Sequence, residues 1–413
     1  MVLHFLKNTF FILAITIVSC ISPSTNKSSS HASAEAKTTP IPTKKGKLIL
    51  GANQTEAYLP LLKDKKVGVV GNQTSVIFKE NGDYTHLIDS LISLDVNVIK
   101  AFSPEHGFRG KADAGEKVVD GIDPKTGVPI VSLYGSNKKP TQQQLDGIDI
   151  LIFDIQDVGV RFYTYISTLH YVMEAAAEKN LTVLILDRPN PNGHYIDGPL
   201  LEKKHQSFVG MHPIPIVHGM TIGEYAQMIN GENWLENNLT CDLMVIKVKN
   251  YTKQTSYSLP IKPSPNLPND QAINLYPSLC FFEGSPVNAG RGTAHQFQVF
   301  GSPGLDQKYF PYNYTPQAND GAKHPKNEGK LCYGRDLTQE PPLSKIELKW
   351  LLEAYQHSDK KENFFTSFFS KLAGTQQLQQ QIEKGWTAEK IRASWQEDLK
   401  DYDAMRQAYL LYP

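Results

Sequence analysis

The sequence predicts an α/β fold: a doubly wound parallel sheet over residues 48–215, followed by a smaller α+β domain over residues 216–413. Three observations carry this expectation. Short apolar runs without polar alternation recur from Lys65 to Gly193, the pattern of strands covered on both faces. Between them lie segments with apolar residues at i, i+3 and i+4, the pattern of helices packed on such a sheet. Past Ile216 the alternation gives way to Pro- and Gly-rich stretches and mixed elements. A chain of 413 residues also exceeds one ordinary core, which fits two domains.

The elements follow in order. "KKVGVVGNQTS", from Lys65, is a Val-rich strand ending in polar residues. "THLIDSLISL" sets Leu87, Ile88, Leu91 and Leu94 at helical spacing. "VNVIKAF" and "PIVSLYG" are the next strands, and "DILIFDIQDVG" is the strongest. "YTYISTLHYVMEAAAEKN" is a helix, with His170, Met173 and the alanines as its packing face, and "LTVLILDRPNPNG" closes the series. In the second half, Thr221 and Glu224 form a capping-box pattern at the start of "TIGEYAQMIN". "CDLMVIKVKNY" reads as a strand and "PSPNLPN" as a rigid turn. The segment from Trp386 reads as an amphipathic helix with an apolar terminus that docks.

Lys+Arg equals Asp+Glu, 42 against 42, so neither nucleic acid nor an anionic membrane surface is expected as the main partner. The first 20 residues are set apart. A lysine precedes the apolar run "TFFILAITIV", and Ser19-Cys20 ends it, as in a lipoprotein-type signal. Lipidation of Cys20 is expected, giving an exported protein, periplasmic or anchored at the outer membrane, that touches the membrane through its lipid alone. Residues 21–47, rich in Ser, Thr, Lys and Pro, read as a flexible tether. The remaining cysteines, Cys241, Cys280 and Cys332, are odd in number, so at least one thiol is unpaired. No metal-type Cys/His spacing occurs, and "GVVGNQTS" lacks the Gly-x-Gly-x-x-Gly of dinucleotide sites. No metal or other cofactor is expected.

Ligands of doubly wound sheets bind beyond the carboxyl ends of the strands. Every predicted strand here ends in polar groups: Asn72 to Ser75, then Glu105 and His106, then "SLYG", then Asp154, Gln156, Asp157 and Arg161, and finally Asp187, Arg188, Asn190 and Asn192. Together they suggest one site assembled along the whole edge. Gly107, Gly110 and Gly115 also suit tight turns there.

The stretches "SPEHGFRG", "DIQDVGVRFYTYISTL", "LDRPNPNG", "GMTIGEYA", "PSPNLP" and "EGSPVNAGRGT" resemble one family, the exo-β-N-acetylmuramidases of the NamZ type, over residues 48–413. The resemblance implies a Rossmann-like first domain, an auxiliary second domain closing a cleft, and release of N-acetylmuramic acid from non-reducing ends of peptidoglycan fragments (MurNAc-GlcNAc). It also implies that Glu105, in the family's "SPEHG" motif, is the catalytic acid. Ser285-Pro286 and His295 depart from residues common in the family, while Glu283 and Arg291 match it.

Glycoside hydrolysis needs an acid to protonate the leaving oxygen and usually a second carboxylate. Glu105 can be that acid if burial raises its pKa. The candidate catalytic residues are Glu105, His106, Asp154 and Asp157, with Asp187, Glu116 and Glu283 also open as the second carboxylate or as hydroxyl ligands. The lactyl carboxylate of muramic acid calls for a cation, and Arg109, Arg161, Arg188 and Arg291 stand in the matching motifs. Tyr163 and Tyr165 are candidates for sugar faces, and Asn72, Gln156 and Asn190 for hydroxyls. Structural alternatives stay open at this stage: Asp187-Arg188 as strand caps, Arg161 as a helix anchor, and the tyrosines as core. Two other function classes also remain. An esterase or deacetylase is disfavoured by the absence of a Gly-x-Ser-x-Gly elbow. A non-catalytic muropeptide-binding lipoprotein would use the arginines without needing an acid at Glu105.

Overall fold

The computed structural model describes residues 46–105, 107–109 and 120–413. Cys20, His106, Gly110, Gly115 and Glu116 lie outside the described residues, as do the signal and all but the last two residues of the tether.

The strands are β1 (Lys66–Gly71), β2 (Val76–Phe78), β3 (Tyr84–His86), β4 (Asn97–Ser103), β5 (Gly121–Ile122), β6 (Pro129–Ser132), β7 (Ile150–Asp154), β8 (Thr182–Leu186), β9 (Asp242–Ile246), β10 (Val299–Ser302), β11 (Tyr312–Tyr314) and β12 (Cys332–Asp336). Seven of them form the main sheet in the order β5-β6-β4-β1-β7-β8-β9. All its pairings are parallel except that of β5 with β6 at the edge. The chain runs outward from β1 through β4 to β6. It then crosses to β7 and runs outward again through β8 to β9. That reversal is the topological switch point of a doubly wound sheet. β2 and β3 make a small hairpin. β10, β12 and β11 form a separate antiparallel sheet of three strands, as expected of a smaller α+β part.

The helices are α1 (Thr55–Leu62), α2 (Leu87–Ser93), α3 (Tyr165–Glu178), α4 (Ile222–Gly231), α5 (Asp270–Leu279), α6 (Lys349–Gln356), α7 (Ser367–Ala373), α8 (Gln377–Glu383), α9 (Ala388–Ala393) and α10 (Gln396–Arg406). Among the described residues no helix is long and apolar enough to cross a membrane. β7 is buried along its whole length, which is why its sequence shows no alternation. Two clusters pack the sheet. One joins β7, β8 and α3 to the residues of the second half; the other joins β1, β4, α1 and α2.

The structure departs from the sequence expectations at two points. β9 pairs with β8 from Thr182 to Leu186, so the main sheet continues past residue 215, where the sequence placed the start of the second domain. The terminal amphipathic segment is two helices, α9 and α10. They are parted at Ser394 and Trp395, where Arg392 and the Trp395 indole both donate to the carboxylate of Asp197. The capping box at Thr221 forms as expected: the Glu224 amide donates to Thr221 Oγ1 at 3.3 Å, and the Thr221 amide donates to Glu224 Oε2 at 2.8 Å. Cys241, Cys280 and Cys332 are all buried free thiols.

Candidate active site

A cavity of about 360 Å³ opens where the loops after β4, β6 and β7 meet the "PSPNLPN" turn, α5, α7 and the segment that carries Glu283 and Arg291. Glu105, Tyr134 and Thr164 come from the sheet edge, and Ser264 and Asn266 from the turn. Phe162, Tyr163, Phe208, Leu267, Tyr276, Phe297 and Leu372 supply apolar walls. An apolar cavity with a few convergent polar groups is the usual form of a small-ligand site.

Glu105 follows β4 by two residues, so the sheet fixes its backbone. Thr164, on the loop after β7, donates its hydroxyl to Glu105 Oε2 at 2.8 Å. Tyr163 and Tyr165 both donate to the carbonyl of Pro263, at 2.8 and 3.3 Å, tying the β7 loop to the turn that supplies Ser264 and Asn266. Glu283 and Arg291 form an ion pair at 2.9 Å, with side chains 26% and 22% exposed. Burial pushes the Glu283 carboxyl up, but Arg291 and Lys326 outweigh it and hold the group below its usual range. Lys326 is spent on the carbonyls of Phe282, Ser285 and Val287. The Arg291 guanidinium lies 5.1 Å from the centre of the Phe297 ring and gives only its Nε to Glu283. Among the described residues its two terminal nitrogens make no hydrogen bond.

The cavity gathers Glu105, Tyr163, Glu283 and Arg291 from the sequence-predicted set; the other described members are bonded elsewhere. Asp154 and Arg188 are buried and bonded as a fork, at 2.6 and 2.9 Å, each consuming the other. Arg109 grips Asp123 with two nitrogens, at 3.2 and 2.7 Å, and also reaches Asp89. Arg161 is fully buried, and among the described residues no carboxylate contacts it. It donates to the carbonyls of Pro199, Ile214, Leu372 and Ala373, and burial lowers its pKa to about 9. Asp187 accepts from Thr221 Oγ1, the Gly223 amide and the Tyr412 hydroxyl, so it anchors α4 and the docked terminus. Asp157 accepts from the Gly159 amide and faces His218, while Gln156 donates to the carbonyls of Asp157 and Pro189. Asn190 braces the loop after β8 by accepting from the Asn192 amide and donating to Met220. Asn72 donates to the Tyr165 hydroxyl at 2.8 Å, behind the cavity wall. A buried polar group must find a partner, and at these strand ends the partners come from neighbouring loops.

Several lining residues were not singled out from sequence. Thr164, Ser264 and Asn266 lie inside quoted motifs, and their polarity beside rigid turns was a usable signal. Tyr276 sits on α5, announced by Asn269, whose side chain caps the Ala272 amide at 2.9 Å. Phe368 and Leu372 sit on α7, whose start and stop signals are Thr366 and Gly374.

A doubly wound sheet whose carboxyl edge and second wall enclose Glu105 and the Glu283–Arg291 pair in one cavity is the arrangement of a two-part α/β hydrolase. The chain belongs to the exo-β-N-acetylmuramidase NamZ family: its N-terminal profile matches residues 67–271 and its C-terminal profile residues 274–412. A curated relative from Bacillus subtilis (strain 168), the peptidoglycan β-N-acetylmuramidase NamZ, is 38% identical over 375 residues, covering 86% of this chain and 89% of the relative. Two crystal structures of DUF1343 family proteins from Bacteroides fragilis NCTC 9343 share the fold. One has 48% identity and a TM-score of 0.82, the other 28% and 0.73; each comparison covers 89% of this chain and 99% of the other.

Proposed function

We propose that this protein is an exo-acting β-N-acetylmuramidase that releases N-acetylmuramic acid from the non-reducing ends of peptidoglycan fragments such as MurNAc-GlcNAc. The observation that carries the reading is the meeting of Glu105 with the Glu283–Arg291 pair in one apolar cavity. Glu105 gives its proton to the glycosidic oxygen as the bond to the anomeric carbon breaks, so the leaving sugar departs as an alcohol; water then adds its hydroxyl to the anomeric carbon, and the water's remaining proton restores the Glu105 carboxyl. Arg291 meets the lactyl carboxylate. Of the four arginines considered, it alone lines the cavity, and its two terminal nitrogens match a carboxylate fork. The curated relative's muramidase name and the shared family support the same substrate class.

Incubation of the purified chain with MurNAc-GlcNAc tests the reading. Free N-acetylmuramic acid and N-acetylglucosamine are expected in equal amounts; an intact disaccharide overturns it. Export and anchoring through a lipidated Cys20, at the periplasmic or outer-membrane surface, belong to the same proposal and rest on the order of charged, apolar and Ser-Cys residues at the N-terminus. Mass spectrometry of the mature protein is expected to find a diacylglyceryl cysteine. An unmodified chain beginning elsewhere overturns anchoring.

A further inference from the structure

We propose that Phe368 is the stacking platform for the leaving sugar, an inference that rests on the muramidase reading. Phe368 and Leu372 stand four residues apart on α7, so they share one helix face, and both line the cavity. That face runs from inside to outside: Leu372 is 2% exposed and Phe368 37%. Phe369, on another face, packs 4.4 Å from Phe365 and 5.8 Å from Phe281, ring centre to ring centre, and holds the helix down.

The inner end of α7 is fixed by Arg161, which donates to Leu372 O at 3.0 Å and to Ala373 O at 2.7 Å. Arg161 directly precedes Phe162, Tyr163 and Thr164, the wall that carries the partner of Glu105. One buried guanidinium therefore sets Phe368 relative to the acid.

Five other aromatic rings of the cavity are already engaged. Phe162 and Phe297 each pack edge-on against Tyr276, and Tyr163 against Tyr165. Phe208 is stacked by Tyr171 on one side and has the Lys138 ammonium 4.6 Å from its centre. Among the described residues no ring or cation contacts Phe368. An open aromatic ring at a cavity mouth suits the axial C–H face of a pyranose. An exo-acting site admits the terminal sugar to its closed end and leaves the next sugar at its open end, which is where Phe368 stands.

The test compares MurNAc-GlcNAc with the β-fluoride of N-acetylmuramic acid, whose leaving group is a single atom and occupies no sugar position. Phe368→Ala is expected to lower kcat/KM on the disaccharide by roughly 5-fold to 20-fold, chiefly through KM, and to leave the fluoride within about two-fold. Phe368→Trp is expected to restore the disaccharide rate. Equal losses on both substrates, or no loss on either, overturn the proposal. A wild-type protein that cleaves neither substrate sinks the muramidase reading itself, and this inference with it.

Discussion

The Thr164 hydroxyl donates to Oε2 of Glu105 at 2.8 Å, joining residues 59 apart in sequence. The bond links the loops after β4 and β7 across the end of β1. It holds one carboxylate oxygen in place at the cavity wall, which is the fixed orientation that the proposed acid role requires. Orientation of this kind carries a large share of catalytic rate.

Glu105→Gln keeps shape and hydrogen-bonding ability but has no proton to give. It is expected to lower kcat on MurNAc-GlcNAc by roughly 10²–10⁴-fold and leave KM within a few-fold. The deficit is expected to shrink on a nitrophenyl glycoside, whose leaving group needs less protonation. Thr164→Val, which removes only the orienting bond, is expected to lower kcat by roughly 10-fold with KM unchanged. Steady-state kinetics on both substrates check this; near-normal turnover by Glu105→Gln places the acid elsewhere.

Arg291→Ala removes the cation from the cavity and leaves Glu283 without its 2.9 Å partner. Glycosides that carry the lactyl group are expected to bind roughly 10-fold to 100-fold more weakly, the worth of a charge-assisted hydrogen bond. N-acetylglucosaminides, which lack the lactyl carboxylate, should change little. Arg291→Lys restores charge but not the fork, so it is expected to recover only part of the affinity. Equal weakening of both sugar classes would show that Arg291 serves the wall rather than the substrate.

The strands and α3 were legible because an apolar run covered on both faces leaves a signal in the sequence itself. The position of Glu105 followed from the same rule, since a residue after a parallel strand faces the edge where ligands bind. What stayed hidden was pairing across long separations. Asp154 and Arg188 both looked free at strand ends, and only the fold brings them within 2.6 Å. Arg161 looked like a substrate cation because its acceptors, the carbonyls of Leu372 and Ala373, belong to no side-chain pattern. The membership of β9 in the main sheet was hidden for a related reason: a strand's sequence does not name its neighbour. The cavity's second wall depends on α5 and α7, short helices with a proline inside one and only seven residues in the other.

Arg161 and Gly374 form a joint whose failure is expected to cost stability. Gly374 adopts φ +77°, and a Cβ there would stand 2.4 Å from Arg161 Nη2. Gly374→Ala therefore adds both left-handed strain and a clash, and is expected to destabilise the fold by about 2 kcal/mol or more. Arg161→Met takes a donor from four buried carbonyls, of which Ile214 O keeps the Leu201 amide, and is expected to cost about 3 kcal/mol or more. Denaturant unfolding measures both. A loss under about 0.5 kcal/mol in either would show that the carbonyls find other donors.

Burial raises the Asp187 carboxyl from 3.8 to about 6, against the bonds from Tyr412, Gly223 and Thr221 and with the help of nearby Glu224, itself paired to Lys253. The native state thus holds this proton more tightly than the unfolded chain does. The sign follows: stability from this residue is greatest below about pH 4, falls as pH rises from about 4 to about 6, and is level above, with a total effect of about 3 kcal/mol. Glu174 works in the opposite sense. Burial pushes its carboxyl up, but His170, Lys139 and the Glu236 amide outweigh it and bring it down to about 2, so its contribution is lost as pH falls below about 4.5. The two windows barely overlap, which makes the first separable. Asp187→Asn has no proton to lose, so its stability relative to wild type is expected to improve by about 2 kcal/mol between pH 4.5 and pH 7. Parallel stability–pH curves for the two proteins over that range would show that Asp187 does not titrate there.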